Sequence, residues 1–384
     1  MKKALWVLAA VALAGCGGSA NTGSDGTGGA PPPEPAVASG PLTSLGPLGV
    51  AGTQLTDAGT QVMLNIVSAR PSSELRLGMF ADADGRIARS TGEGVAATAV
   101  AQSVLIGPVA AIDPTRGSLV VLASPVRVDQ NTLLENFERV EQLAVGDRVE
   151  VFGLRLPGAD GLLATRVILH EPVQDRSVEV LGTVSDVATG SFTAQGVRIA
   201  VVAGGTDFSP APPGGAASFV AGTLVRVRGP YDAAAATVTA SLVVTGFAPA
   251  RPEGKLVYLE GFVLAQNAAT RFQVGEVAVD TTDVAAPLAV GMRVRLRGRM
   301  QAGVLRVDQV AVVAPDARIE YVVEGTISAY GTIADFRVRG ERIDASAAVI
   351  VGGPPATLAD GVRVRVKGGA GAGRLDATEV RILP

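Results

Sequence analysis

The chain has 384 residues, with 33 basic and 36 acidic side chains and a formal net charge of −3. At roughly 100–200 residues per domain this length holds two to four ordinary domains, or more if the units are small, and 47% apolar residues exclude a disordered chain. One His and one Cys exclude most His-based catalysis, Cys/His zinc sites and an internal disulfide framework.

The first element is an address. Lys2 and Lys3 precede an apolar run from Ala4 to Ala14, too short for a bilayer span of ~20 residues but suited to a signal-peptide core. The run ends in Leu13-Ala14-Gly15-Cys16, which looks like a bacterial lipobox. That resemblance implies removal of residues 1–15 as a lipoprotein signal peptide and lipidation of Cys16, the only Cys in the chain. Gly17 rather than Asp follows it, which by resemblance to enterobacterial sorting favours the outer membrane. Several acyl chains would make a stable anchor where one is marginal. Residues 16–44 are Gly-, Ser- and Pro-rich and read as the lipidated Cys with a tether.

The remainder repeats. A large apolar residue, two residues, Gly, then a second Gly seven residues later occurs as Leu75/Gly78/Gly85, Leu143/Gly146/Gly153, Phe219/Gly222/Gly229, Leu288/Gly291/Gly298 and Leu358/Gly361/Gly368. Alternating residues such as Val294 and Leu296 between the glycines predict a strand with one buried face. The glycines suit φ > 0 or close backbone approach. A second signature follows: Ala97-Thr98-Val100, Ala164-Thr165-Val167, Ala240-Ser241-Val243, Val307-Asp308-Val310 and Ala377-Thr378-Val380. Together they predict a hairpin. A third, an apolar run through Gly, opens only the last four modules, at Gly107, Gly182, Gly261 and Gly325. Asp129, Asp280 and Asp344, just after a third strand, are expected to cap turns. Leu133, Leu134, Phe137, Val140 and Leu143 have helical spacing in the second module alone.

These patterns predict an all-β chain, a tandem array of about five small five-stranded OB-like β-barrels, with SH3-like barrels as the alternative. The modules span 45–102 (degenerate), 103–170, 178–245, 256–313 and 320–384. Tandem modules behind a lipobox resemble a bacterial domain-of-unknown-function family of OB-like modules in envelope lipoproteins. That family implies no reaction, ligand or catalytic residue.

Arg is concentrated on one strand per module: Arg226 and Arg228; Arg293, Arg295, Arg297 and Arg299; Arg363 and Arg365 with Lys367. Guanidinium forks bind phosphate or carboxylate bidentately, so these residues are candidate anion-binding sites for an envelope polysaccharide or lipid. The competing expectation is a solvated face balanced by nearby acids such as Asp308, Asp376 and Glu379. Nucleic acid is excluded as a partner by the 4% aromatic content and the slight acidity. Asp82, Asp84 and Glu93 imitate a calcium loop, but Arg86 and Ile87 stand where its oxygen ligand and Gly belong. His170 beside Glu171 reads as surface. No cofactor, metal or catalytic residue is expected. The chain reads as a non-enzymatic, lipid-anchored envelope scaffold or binding array for a protein partner, with an anion receptor second and a hydrolase a remote third.

Overall fold

The computed structural model describes residues 32–384 except 66, 159–160, 173, 175, 211–219, 249 and 285. The described chain is all β, with 3₁₀ turns as its only helical elements. Each module contributes five principal strands. In the first they are Glu34–Leu45, Leu48–Val50, Thr53–Thr56, Phe80–Ile87 and Glu93–Ala101. In the second they are Leu105–Asp113, Ser118–Val121, Ser124–Arg127, Arg148–Arg155 and Leu162–Leu169. The fourth has Leu256–Ala268, Arg271–Val274, Val277–Asp280, Arg293–Gln301 and Val304–Val313, and the fifth Tyr321–Thr332, Asp335–Val338, Glu341–Asp344, Arg363–Ala370 and Leu375–Ile382. The third has Val178–Ala188, Ser191–Ala194 and Val197–Val201, then a fourth strand split into Leu224–Gly229 and Tyr231–Asp232, and a fifth split into Thr237–Ala240 and Leu242–Val244. Pro230 lies at the first of these breaks, where it has no N–H to donate.

The pairing repeats in every module. The first strand runs antiparallel to the second and fourth, the second to the third, and the fourth to the fifth. The third meets the fifth in parallel and closes the barrel, as in Val279↔Leu305 and Ile343↔Leu375. This is the OB-like connectivity expected.

The two framing glycines solve different problems. The first lies in a turn with φ of +76 to +97, as at Gly291 (+92), where an L side chain is strained. The second faces a bulge on the fifth strand: a Cβ on Gly298 would lie 2.1 Å from the Arg306 carbonyl oxygen, and at Gly85, Gly153, Gly229 and Gly368 the equivalent approach is 2.0–2.5 Å.

Two expectations are corrected. Residues 34–44, assigned to the tether, form most of the first strand of module one, and the module is a complete barrel. Its opening Gly is Gly40, opposite Ala81 just as Gly261 lies opposite Val294. The strand escapes an alternation test because it is covered on both faces, so its residues are small and apolar without a period of two. The helix over 133–143 is absent. Leu133–Glu135 is a strand parallel to the fifth strand, Asn136 takes φ +68, and Val140–Gln142 is a 3₁₀ turn. Leu133, Phe137, Val140 and Leu143 are buried all the same, so the apolar spacing reports burial rather than helix.

The relative placement of the modules, which the sequence leaves open, is set by strand pairing. The modules are not strung in a line. The first strand of module one pairs in parallel with those of module four (Ala36↔Leu256 to Ser39↔Leu259) and module five (Ser44↔Val322, Leu45↔Val323). Module two pairs with module three through Leu105↔Val180. The buried apolar residues follow suit: one cluster spans modules one and five, one spans two and three, and the third belongs mainly to module four with Val37.

Candidate functional site

The Arg-bearing strands do not form one solvent-facing stripe. Arg226, whose guanidinium is fully buried, sits between modules three and one. It donates to Glu179 (2.8 Å), the Ser103 carbonyl (2.6 Å) and Asn65 Oδ1 (3.2 Å). Burial pushes this guanidinium below its ordinary pKa against the pull of Glu179. Arg228, two residues on, is exposed.

In module four, Glu260 is fully buried and divides its oxygens between Arg293 (2.6 Å) and Arg295 (2.7 Å). Module five repeats the arrangement at the surface: Glu324 takes Arg363 and Arg365, each at 2.7 Å. Each acid is the residue before the opening Gly, on the strand paired with the arginines. Arg297 meets Asp308 (2.7 Å), which also receives Arg89 of module one, and Arg299 meets Glu34 of module one (2.6 Å). Lys367 is half-buried opposite Glu379. The anion-binding expectation is therefore corrected for Arg226, Arg293, Arg297 and Arg299, whose charges are turned inward or toward a neighbouring module. Arg295, Arg363 and Arg365 keep exposed edges.

Of the expected balancing acids Asp308, Asp376 and Glu379, one forms an ion pair with an Arg of the candidate set. Asp308 does balance Arg297, while Asp376 and Glu379 pair with Arg374 and Arg381. Glu260 and Glu324 were not among the expected acids, although both stand directly before the opening Gly in the sequence.

A second buried cation, Arg166, was not anticipated. It reaches from module two to Glu135, to Glu341 of module five (3.2 Å) and to the Leu77 carbonyl of module one (2.9 Å). Burial works against its charge, but Glu341 and Glu135 outweigh that, and the guanidinium holds its proton more tightly than usual. A cleft of about 560 Å³ opens beside it between modules two and five, with Arg337, Arg342 and Arg374 facing Glu135 and Glu138. A smaller apolar cavity of about 130 Å³ lies where modules one to four meet, walled by Phe80, Val104, Leu154, Leu259 and Phe262.

The remaining candidates have structural partners. Asp129, Asp280 and Asp344 each accept the backbone N–H two residues on, from Asn131, Thr282 and Ser346, as expected of turn caps. Asp82 receives Ser39 and Arg251, and Asp84 receives Lys255, so both fasten the approach to module four onto module one. His170 is not simply surface; its Nε2 lies 3.0 Å from the buried Glu150. Burial pushes the Glu150 carboxyl up, and hydrogen bonds from His170 and Asn65 outweigh it, leaving a net lowered pKa. Cys16 lies outside the described residues.

No curated protein matches the chain. Two segments, 106–168 and 324–381, which fall in the second and fifth modules, are each similar to a family described as a domain of unknown function (DUF5666).

Proposed function

We propose that the chain is a lipid-anchored cell-envelope protein that works without catalysis, as a rigid scaffold carrying binding surfaces on β-barrel modules. The lipobox-like run to Cys16 supports the anchor, and the outer membrane is the favoured location. The observation that carries the scaffold reading is how the charges are used. Arg166, Arg226, Arg297 with Arg89, and Arg299 all link different modules through hydrogen bonds or shared carboxylates. Arg166–Glu341 is a buried ion pair, which contributes little net stability but leaves a costly unpaired charge if the modules are misplaced. Such pairs suit a protein whose modules must hold fixed relative positions.

A second reading, a receptor for an anionic envelope glycan or lipid, is supported by one specific feature. Glu324 is a single carboxylate shared by two arginines, and Arg363 and Arg365 are 58% and 44% exposed, so both guanidiniums keep faces open to an anion. Binding of the chain to anionic-lipid vesicles and to isolated envelope glycan, at low and high salt, separates the two. Absence of salt-sensitive binding leaves the scaffold reading. Salt-sensitive binding lost in Arg363→Ser/Arg365→Ser replaces it with the receptor. Acyl labelling of the wild type but not of Cys16→Ser tests the anchor.

A further inference from the structure

Modules one, two, three and five each place a short extra strand between their third and fourth strands. These are Gln61–Leu64, Leu133–Glu135, Asp207–Ser209 and Val349–Val351. Each runs parallel to the outer half of the fifth strand of its own barrel, through Val62↔Ala99, Leu134↔Val167, Phe208↔Val243 and Ile350↔Val380. The residue at this register position is apolar in all four: Val62, Leu134, Phe208 and Ile350.

Module four has the same fifth strand, Val304–Val313, but among the described residues no such partner. The third strand covers it only at Leu305 and Arg306, and the fourth strand covers its other edge. The connection from Asp280 to Arg293 is visibly shorter than the Asp344 to Arg363 connection that supplies the extra strand in module five. In the repeat register, the positions that the sister modules cover correspond to Gln309, Val310 and Ala311. Here Gln309, Ala311 and Val312 are exposed, Val312 at 55%.

An uncovered strand edge with β-branched residues is a template for strand addition. We propose that Gln309–Val313 is a docking edge for an extended apolar segment of a partner polypeptide. The segment lies parallel to the strand with a large apolar side chain opposite Val310. The four sister modules show what fills this position, namely three or four residues of extended backbone with an apolar centre. They also argue against a second copy of this chain docking edge to edge, since a two-fold axis would make the two identical strands antiparallel. Main-chain hydrogen bonds would supply affinity and the apolar residue specificity, as in strand-addition modules generally. This goes beyond the scaffold reading and is independent of lipidation at Cys16.

The probe is a labelled synthetic peptide with the sequence of residues 346–353, which contains the extra strand of module five. It is added to the full chain, with binding read by fluorescence anisotropy and amide exchange read over 309–313. Saturable binding, slowed exchange confined to 309–313, and at least tenfold weaker binding by Ala311→Lys and by Val312→Lys are expected. Both substitutions fall at exposed positions and leave the barrel intact. The proposal is overturned by no binding, by equal binding to both variants, or by amides at 309–313 that are already as protected in the free chain as those at 379–381. Protection that rises with protein concentration alone, together with a dimer in sedimentation, would overturn it in favour of a second copy.

Discussion

Arg166 and Glu341 form an ion pair at 3.2 Å with both side chains buried, 3% and 6% exposed, although 175 residues separate them. The same carboxylate accepts the Leu77 amide of module one at 2.8 Å. One acid of module five thereby ties modules one and two to itself.

Removing that acid leaves a buried guanidinium with the part-exposed Glu135 as its remaining carboxylate partner. Glu341→Ala is expected to cost about 3 kcal/mol, the range for breaking one side of a buried pair, whereas replacing both partners by apolar residues costs less. Urea denaturation of the single and double variants measures the difference. Equal losses would show that packing, not charge, dominates this junction.

The two framing glycines should respond differently to Ala. Gly361 has φ +89 and open space around it, so Gly361→Ala should cost about 1–2 kcal/mol of backbone strain. Gly298→Ala must displace the Arg306 carbonyl and belongs at the top of the overpacking range, about 3 kcal/mol. Thermal unfolding of the pair tests the ranking, which a common value for both would contradict.

The Arg clamps of modules four and five look alike in sequence and differ in burial. Arg293→Ala leaves the fully buried Glu260 with Arg295 alone and should cost about 3 kcal/mol. Arg363→Ala removes an exposed partner and should change stability by no more than about 0.5 kcal/mol. Denaturant midpoints of the two variants decide it.

Glu150 sets a pH dependence. Its folded pKa lies below the ordinary 4.5, so it contributes stability above that value and loses it as pH falls through the folded value. Urea midpoints should therefore fall as pH drops through and below about 4.5, and fall less in Glu150→Gln. Parallel curves for the two proteins would remove Glu150 from the account.

The sequence by itself determined the unit. Glycines seven residues apart, alternating Val and Leu between them, and Asp after the third strand are local demands of φ, close approach and turn capping. Such demands are met within a few residues, so they are legible in the chain, and the structure satisfies all three in the way the residue types require. The tertiary structure decided what those units do to one another. Residues 34–44 read as tether because a strand covered on both faces needs small residues and shows no period of two. Arg226 and Arg293 read as a binding face because alternation says only that they point away from their own barrel core. It cannot say that module one lies against Arg226, or that Glu260 on the paired strand takes the charge of Arg293. Those partners are set by how the barrels pack, through contacts that local periodicity does not encode.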